Sequence, residues 1–248
     1  MRAWLPCTVH VVTDDPSAVL PDFLRGIAEA PLWPESVIIV DNSPPGRDRP
    51  EPEPGLPVTW LRNPKPQPMG RSLNQALSLA RSRVNGLDLT GQFIVFARPD
   101  LWFSPETLGL LVEHLQNNLL LGYAGPKIRR AHVTGSLDGE RRDLELTDVF
   151  DVAGCVPGLF GRLKFVGAGE PDQGQYDAAS DLLPTSACVA VRWSALERVS
   201  RTGPWVPDAA DAEQALPGLL ARLRGLQENG RLVPEALAWR LAARPEMR

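Results

Sequence analysis

The sequence predicts an α/β fold with a mostly parallel central sheet and helices on both faces, on three observations. Short apolar runs rich in β-branched residues recur as CTVHVVT, SVIIV, QFIVFA and ACVAVRW, each a buried strand by composition. Segments with apolar residues at helical spacing lie between the earlier runs, and alternating strands and helices build a parallel sheet covered on both sides. The chain of 248 residues, 43% apolar and 23% charged, is large enough to bury a core, in one large domain or two small ones.

In chain order, residues 7–13 form a first strand that stops at the polar Thr13-Asp14-Asp15-Pro16 turn. Residues 17–30 follow as a helix carrying Val19, Leu20, Phe23, Leu24 and Ile27 near helical spacing. Residues 36–40 are apolar almost throughout, as a central parallel strand requires, and end at Asp41-Asn42-Ser43. Nine prolines from Pro44 to Pro68 exclude a long helix or central strand from most of that stretch, because proline lacks the backbone donor. Only residues 57–61 read as a strand there, an edge one. Residues 71–83 are helical, with Leu73, Ala76, Leu77 and Ala80 on one face. Residues 92–97 are a further buried strand, ending at Arg98-Pro99-Asp100. Ser104, Pro105 and Glu106 suit the N-cap, N1 and N2 positions of a helix through Leu108, Leu111, Val112 and Leu115.

Residues 127–182 are rich in glycine and charge and weakly periodic, so they read as a variable insertion with some β structure or a flexible loop. A strand over 187–193 restores order, followed by helices over 194–199, 212–227 and 234–240. The expected organisation is one domain over 1–248, with halves at 1–126 and 183–248 flanking the insertion.

Twenty-six basic against 30 acidic residues give a net charge of −4 and a pI near 5.5 without a long basic run. A general nucleic-acid partner is thereby disfavoured. No apolar stretch reaches the roughly 18 residues that span a bilayer, and the first residues lack a secretory signal, so a cytoplasmic location is expected, with association at a membrane surface left open. The odd, widely spaced Cys7, Cys155 and Cys188 fit a reducing compartment and read as buried apolar residues. His10, His114 and His132 show no zinc spacing.

In an open parallel sheet the ligand cleft lies beyond the carboxyl ends of the strands. The strands ending at Thr13, Asp41 and Ala97 are therefore expected side by side, with Thr13, Asp14, Asp15, Asp41, Asn42, Arg98 and Asp100 as the candidates at their ends. Neither a G-x-G-x-x-G after the first strand nor a G-x-x-x-x-G-K-[ST] or G-x-S-x-G motif is present, which argues against dinucleotide, P-loop and α/β-hydrolase sites.

The succession VHVVTDDP, SVIIVDNSPPG, MGRSLNQALSLA, QFIVFARPDLWFSPETLGLLVEHL and LGYAGPKI resembles family 2 glycosyltransferases of the GT-A (nucleotide-diphospho-sugar transferase) fold, particularly the rhamnosyltransferase-like branch. LLPTSACVAVRWSALERV and LVPEALAWR resemble that family's acceptor-side strand and helix and its closing segment. The resemblance implies inverting transfer of a sugar from a nucleoside diphosphate donor to a glycan, lipid or small-molecule acceptor, as in cell-surface polysaccharide synthesis.

By that resemblance Thr13 closes the first strand beside the nucleoside, Asp15 stands where an asparagine is usual, and Asp14 replaces an aromatic that stacks on the base. Asp41 matches the position that hydrogen-bonds the base; an Asx turn at a strand end is its other reading. Asn74 matches an asparagine on the helix behind the nucleotide, or is a solvated helix position. Arg71 meets a phosphate or is surface charge. The acidic triplet that holds Mg²⁺ or Mn²⁺ reads Arg98-Pro99-Asp100 here, leaving Asp100 as the metal ligand, and the family's late histidine is matched by Arg240. The resemblance thus implies a divalent cation whose role is weakened or partly replaced by the guanidinium groups of Arg98 and Arg240, unless both point to solvent. The acid pair that supplies the general base is matched by Glu213-Gln214, with Asp211 nearby; Asp211 and Glu213 are the candidate bases, or acidic complements of a helix dipole. Two readings remain: an active transferase, or a degenerate member serving as a binding or scaffold module. A nucleotidyltransferase is disfavoured because a glycine-rich, basic N-terminal signature is lacking.

Overall fold

The computed structural model describes residues 3–84, 89, 91–134, 143–157, 163–179, 181–208 and 212–243, apart from the side chains of Ala212, Glu213 and Ala243. Strand β1 (Ala3–Thr13), helix α1 (Leu20–Glu29), β2 (Leu32–Asp41), β3 (Val58–Arg62), α2 (Met69–Arg83) and β4 (Phe93–Ala97) form the first part. Then come β5 (Leu101–Phe103), α3 (Thr107–Asn117), β6 (Leu121–Thr134), β7 (Asp143–Val152), β8 (Gly154–Pro157) and β9 (Leu163–Val166). The chain closes with β10 (Cys188–Arg192), α4 (Trp193–Ser200), α5 (Ala212–Gly225) and β11 (Asn229–Ala243).

The main sheet runs β3-β2-β1-β4-β10-β6-β11-β5, with β7 added on β6, and β8-β9 is a separate hairpin. From β3 to β4 every pairing is parallel, and the register sets Thr13 against Asp41 and His10 against Phe96. The strands ending at Thr13, Asp41 and Ala97 are therefore neighbours pointing the same way. Strand β10 lies antiparallel between β4 and β6 and carries the sheet into its second half.

Alternation sorts the strand residues between two cores, because successive side chains leave opposite faces. Val9, Val11, Val37, Ile39, Phe93 and Val95 pack with α1 and α3. Ile38, Val40, Ile94, Phe96, Val189 and Val191 pack with α2, α4 and α5 on the other face. Helices on both faces explain why the central residues of these strands are almost all apolar. Cys7, Cys155 and Cys188 are free and buried. Among the described residues no helix is long and apolar enough to cross a membrane.

Several boundaries differ from the sequence reading. Helix α1 starts at Leu20 because Asp15 organises the preceding turn, accepting from the Ser17 amide and hydroxyl. Helix α3 starts at Thr107, and the Ser104 and Thr107 hydroxyls pair at 2.9 Å. The helix expected over 234–240 is corrected to a strand. There β11 fills the gap between β6 and β5, and its register breaks between Val233 and Leu237, which takes up Pro234 as a bulge. Glu235, Ala236, Leu237 and Ala238 favour helices in isolation, but the open ladders of two flanking strands override that preference. In the stretch read as an insertion, β6 continues to Thr134 and pairs with β7.

Candidate functional site

Two cavities open beyond the carboxyl ends of the parallel strands, and both are lined by Arg98. The first, about 380 Å³, takes Thr13 and Asp14 from the end of β1, Asn42 from the end of β2, Gln67 and Met69 from the start of α2, and Arg98 from the end of β4. Asn42 braces it. Its amide donates to the Gln67 carbonyl at 3.0 Å and to the Ser72 hydroxyl at 3.1 Å, and its carbonyl accepts from Asn63 at 2.8 Å. The proline-rich lead-in to α2 is thereby tied to the strand ends.

Asp41 is fully buried directly behind this wall. One carboxylate oxygen accepts from the Ser43 amide at 2.9 Å and the Ser43 hydroxyl at 2.5 Å. The other accepts from Arg49 at 3.1 Å and faces Arg62 at 3.8 Å. Burial opposes its charge, but the Ser43 and Arg49 hydrogen bonds and the Arg62 charge outweigh burial and hold the carboxyl below its ordinary range. The geometry is that of an Asx turn closed by two guanidinium groups, and Asp41 does not line the cavity. Asp15 caps its own turn, and the Ser17 hydrogen bond holds its carboxyl low.

Asn74 and Arg71 lie on the outer side of α2, lining a separate open depression with Arg62 and Gln75. Asn74 clamps Val206, donating to its carbonyl at 2.8 Å and accepting from its amide at 3.0 Å. Arg71 is exposed and pairs with Asp208 at 2.9 Å. The fold brings Thr13, Asp14, Asn42 and Arg98 together, and sets Asp15, Asp41, Arg71 and Asn74 around them rather than in the cavity.

Past the end of β4, Arg98 grips Asp100 with two hydrogen bonds, at 2.9 and 2.8 Å. Arg240 donates to the same carboxylate at 3.2 Å and reaches Asp151 at 3.3 Å, which also faces Arg130 at 3.8 Å. Arg240 reaches Asp100 because β11 pairs antiparallel with β5, setting Arg240 opposite Leu101. Burial would raise the Asp100 pKa, but the Arg98 hydrogen bonds and the two guanidinium charges hold it below its ordinary range. Asp151 and Arg130, on β7 and β6, carried no signal in the sequence because the stretch lacks a recognisable pattern.

A hard divalent cation needs several oxygen ligands in one place. Both oxygens of Asp100 already accept from guanidinium groups, and the nearby Asp151 accepts from Arg240 through one oxygen and faces Arg130 with the other. Among the described residues no three His, Cys, Asp or Glu side chains converge as a metal site. The described residues at Asp100 thus do not fit a divalent cation, and cationic side chains stand against the carboxylate expected to hold one. Asp211 lies outside the described residues, as does the Glu213 side chain. Downstream on α5, Leu216 lines the first cavity and Pro217 the second.

The second cavity, about 440 Å³, shares Arg98 with the first and is lined by Asp151, Phe165, Thr185, Ser186, Pro217 and Arg240 among others.

No protein-family model and no curated protein matches the sequence. Solved structures do match it in fold. GalNAc-T7 with UDP, GalNAc and Mn²⁺ aligns with 97% of the chain at a TM-score of 0.58 and 10% identity. The mannosyltransferase PcManGT from Pyrobaculum calidifontis, in complex with GDP-Man and Mn²⁺, aligns with 98% at 0.54 and 16% identity. S. aureus TarS 1-349 in complex with UDP-GlcNAc aligns with 98% at 0.53 and 14% identity. The chain spans only 44%, 58% and 60% of these three proteins, respectively. The α/β architecture with its central, mostly parallel sheet is thus the GT-A glycosyltransferase fold.

Proposed function

We propose that this chain binds a nucleoside diphosphate sugar and transfers the sugar to a glycan, lipid or small-molecule acceptor, as a family 2-type enzyme of the rhamnosyltransferase-like kind acting with inversion. The observation that carries the reading is the guanidinium pair on Asp100 at the carboxyl end of the parallel strands. The nucleoside enters the first cavity between Thr13 and Asn42, with Asp41 fixing the turn behind it. The diphosphate lies toward Arg98, which also borders the second cavity where an acceptor approaches. A guanidinium is always charged and matches phosphate oxygens bidentately, so Arg98 and Arg240 offset the charge of the leaving diphosphate. Asp211 or Glu213 takes the acceptor proton.

The fold and the match to proteins crystallised with UDP, UDP-GlcNAc or GDP-Man support the donor class. The degenerate binding module remains the second reading, favoured by the amide Gln214 in place of an acid. Calorimetric titration with UDP and GDP, in EDTA and in Mn²⁺, tests donor binding. Wild type is expected to bind one of them in EDTA as well as in Mn²⁺, and Arg98→Ala to bind it more weakly in both, because a fixed positive charge is lost from the phosphate side. No binding of wild type without metal, and the same behaviour in Arg98→Ala, refutes the role of Arg98. Donor binding without hydrolysis or transfer over a panel of nucleotide sugars favours the binding module.

A further inference from the structure

We propose that the second cavity is a carbohydrate subsite and that Phe165 is the platform that selects a pyranose ring there; as the acceptor's place, this rests on the donor reading above. Phe165 is 58% exposed, unlike the other phenylalanines of the described core. It stands on β9 of a hairpin that makes no pairing with the main sheet, yet it lines the cavity beside Arg98 and Asp151.

Its position is fixed by the chain across from it. Phe165 is paired with Cys155 on β8, and Cys155 exchanges backbone hydrogen bonds with Leu183 at 2.9 and 2.8 Å. The Cys155 thiol adds a contact to the Pro184 carbonyl at 3.4 Å. The hairpin is thus pinned to the segment that supplies Thr185 and Ser186 to the same cavity. A phenyl ring left more than half exposed on a pinned strand keeps much of its apolar surface in water, and stacking a ligand on it removes that surface from water.

The other lining groups state what kind of ligand. Asp151 offers a carboxylate already oriented by Arg240 at 3.3 Å and Arg130 at 3.8 Å, and hydroxyl-bearing residues stand nearby. A purely apolar ligand would desolvate these charges without replacing their hydrogen bonds. A simple anion would find Arg98 and Arg240 but would also meet the Asp151 carboxylate and leave Phe165 unused. A pyranose meets both demands: its C–H face lies on an aromatic ring, and its hydroxyls donate to a carboxylate. Because Arg98 walls both cavities, a ring on Phe165 sits against the diphosphate side of the first.

The test is saturation-transfer NMR and calorimetry with methyl hexopyranosides of gluco, galacto, manno and N-acetylglucosamine configuration, on wild type, Phe165→Ala and Phe165→Trp. Nucleoside diphosphate binding is titrated in the same samples. The expectation is that at least one glycoside binds wild type, binds Phe165→Ala about three- to tenfold more weakly, and regains affinity in Phe165→Trp. Nucleotide affinity is expected to be equal in all three proteins. If no glycoside binds wild type, or if Phe165→Ala binds it unchanged, the subsite is overturned. Failure of the nucleotide titration alone would instead overturn the donor reading and leave the glycoside result to stand.

Discussion

Replacing Asp100 by asparagine separates a guanidinium-lined site from a metal site, because the two predict opposite signs. Where a carboxylate holds a cation against the diphosphate, its loss removes the cation and the donor with it. Under the proposed reading the carboxylate competes with phosphate for guanidinium groups: it accepts from Arg98 at 2.9 and 2.8 Å and from Arg240 at 3.2 Å. Its pKa lies below the ordinary 3.8, burial being outweighed by the two arginines, so the variant removes a whole charge at neutral pH.

The magnitude follows from exposure. Two unit charges about 4 Å apart interact by about 4 kcal/mol at an effective dielectric near 20. Arg98 is 33% exposed and Arg240 42%, so water screens much of that, and exposed ion pairs are worth about 1 kcal/mol or less each. Freeing both guanidinium groups therefore favours phosphate by about 1–2 kcal/mol, or roughly five- to thirtyfold in Kd. Calorimetry with UDP and GDP in excess EDTA reads this directly, with the thermal midpoint checked so that a misfolded variant is recognised. Tighter metal-free binding by Asp100→Asn is expected. A loss of more than tenfold, in a folded variant of a wild type that binds only with Mn²⁺, would refute the reasoning.

Two further outcomes test the fold. An alanine Cβ at Gly230 would lie 2.0 Å from the ring of fully buried Tyr123, so Gly230→Ala is expected to cost about 1–3 kcal/mol in urea unfolding; a shift below about 0.5 kcal/mol would mean that the β6–β11 contact is loose. Asp41, Asp100 and Asp172 all carry depressed pKa values: burial opposes each charge but is outweighed, by Ser43 and Arg49 at Asp41, by Arg98 and Arg240 at Asp100, and by Arg129, Gly174 and Lys127 at Asp172. The unfolded chain then binds more protons than the folded one, so their stabilisation is complete above about pH 5 and is lost as pH falls through 3.8 and below. Urea midpoints measured from pH 7 to pH 2.5 are expected to fall steeply at the acid end, less so in Asp172→Asn; an unchanged slope in that variant would remove Asp172 from the account.

The parallel half of the sheet was legible because burial on both faces leaves a simple trace. SVIIV and QFIVFA have no polar residue inside, and the helices between them show one apolar stripe each. The cavity followed from strand order alone, since Thr13, Asn42 and Arg98 sit at consecutive parallel strand ends. Side-chain direction was not legible. Asp41 and Asn42 are adjacent in sequence, yet Asn42 lines the cavity while Asp41 is enclosed by Ser43, Arg49 and Arg62. Arg49 lies in the proline-rich stretch, where periodicity carries no information, and is fixed there by stacking 5.1 Å over Trp60.

The misread strand β11 also decides the chemistry. On a helix over 234–240, Arg240 would have had no reason to meet Asp100. As the residue opposite Leu101 in an antiparallel pair, it is delivered beside Asp100, and the Leu241 amide donates to the Asp100 carbonyl at 2.8 Å to hold the register. A one-residue slip would turn Arg240 to the other face of the sheet and leave Asp100 with Arg98 alone. The guanidinium pair is therefore a property of sheet register, set by how the break between Val233 and Leu237 absorbs Pro234. The sequence shows arginine at two positions where its resemblance to family 2 glycosyltransferases implies a cation site; only the pairing of β11 with β5 puts both on one carboxylate.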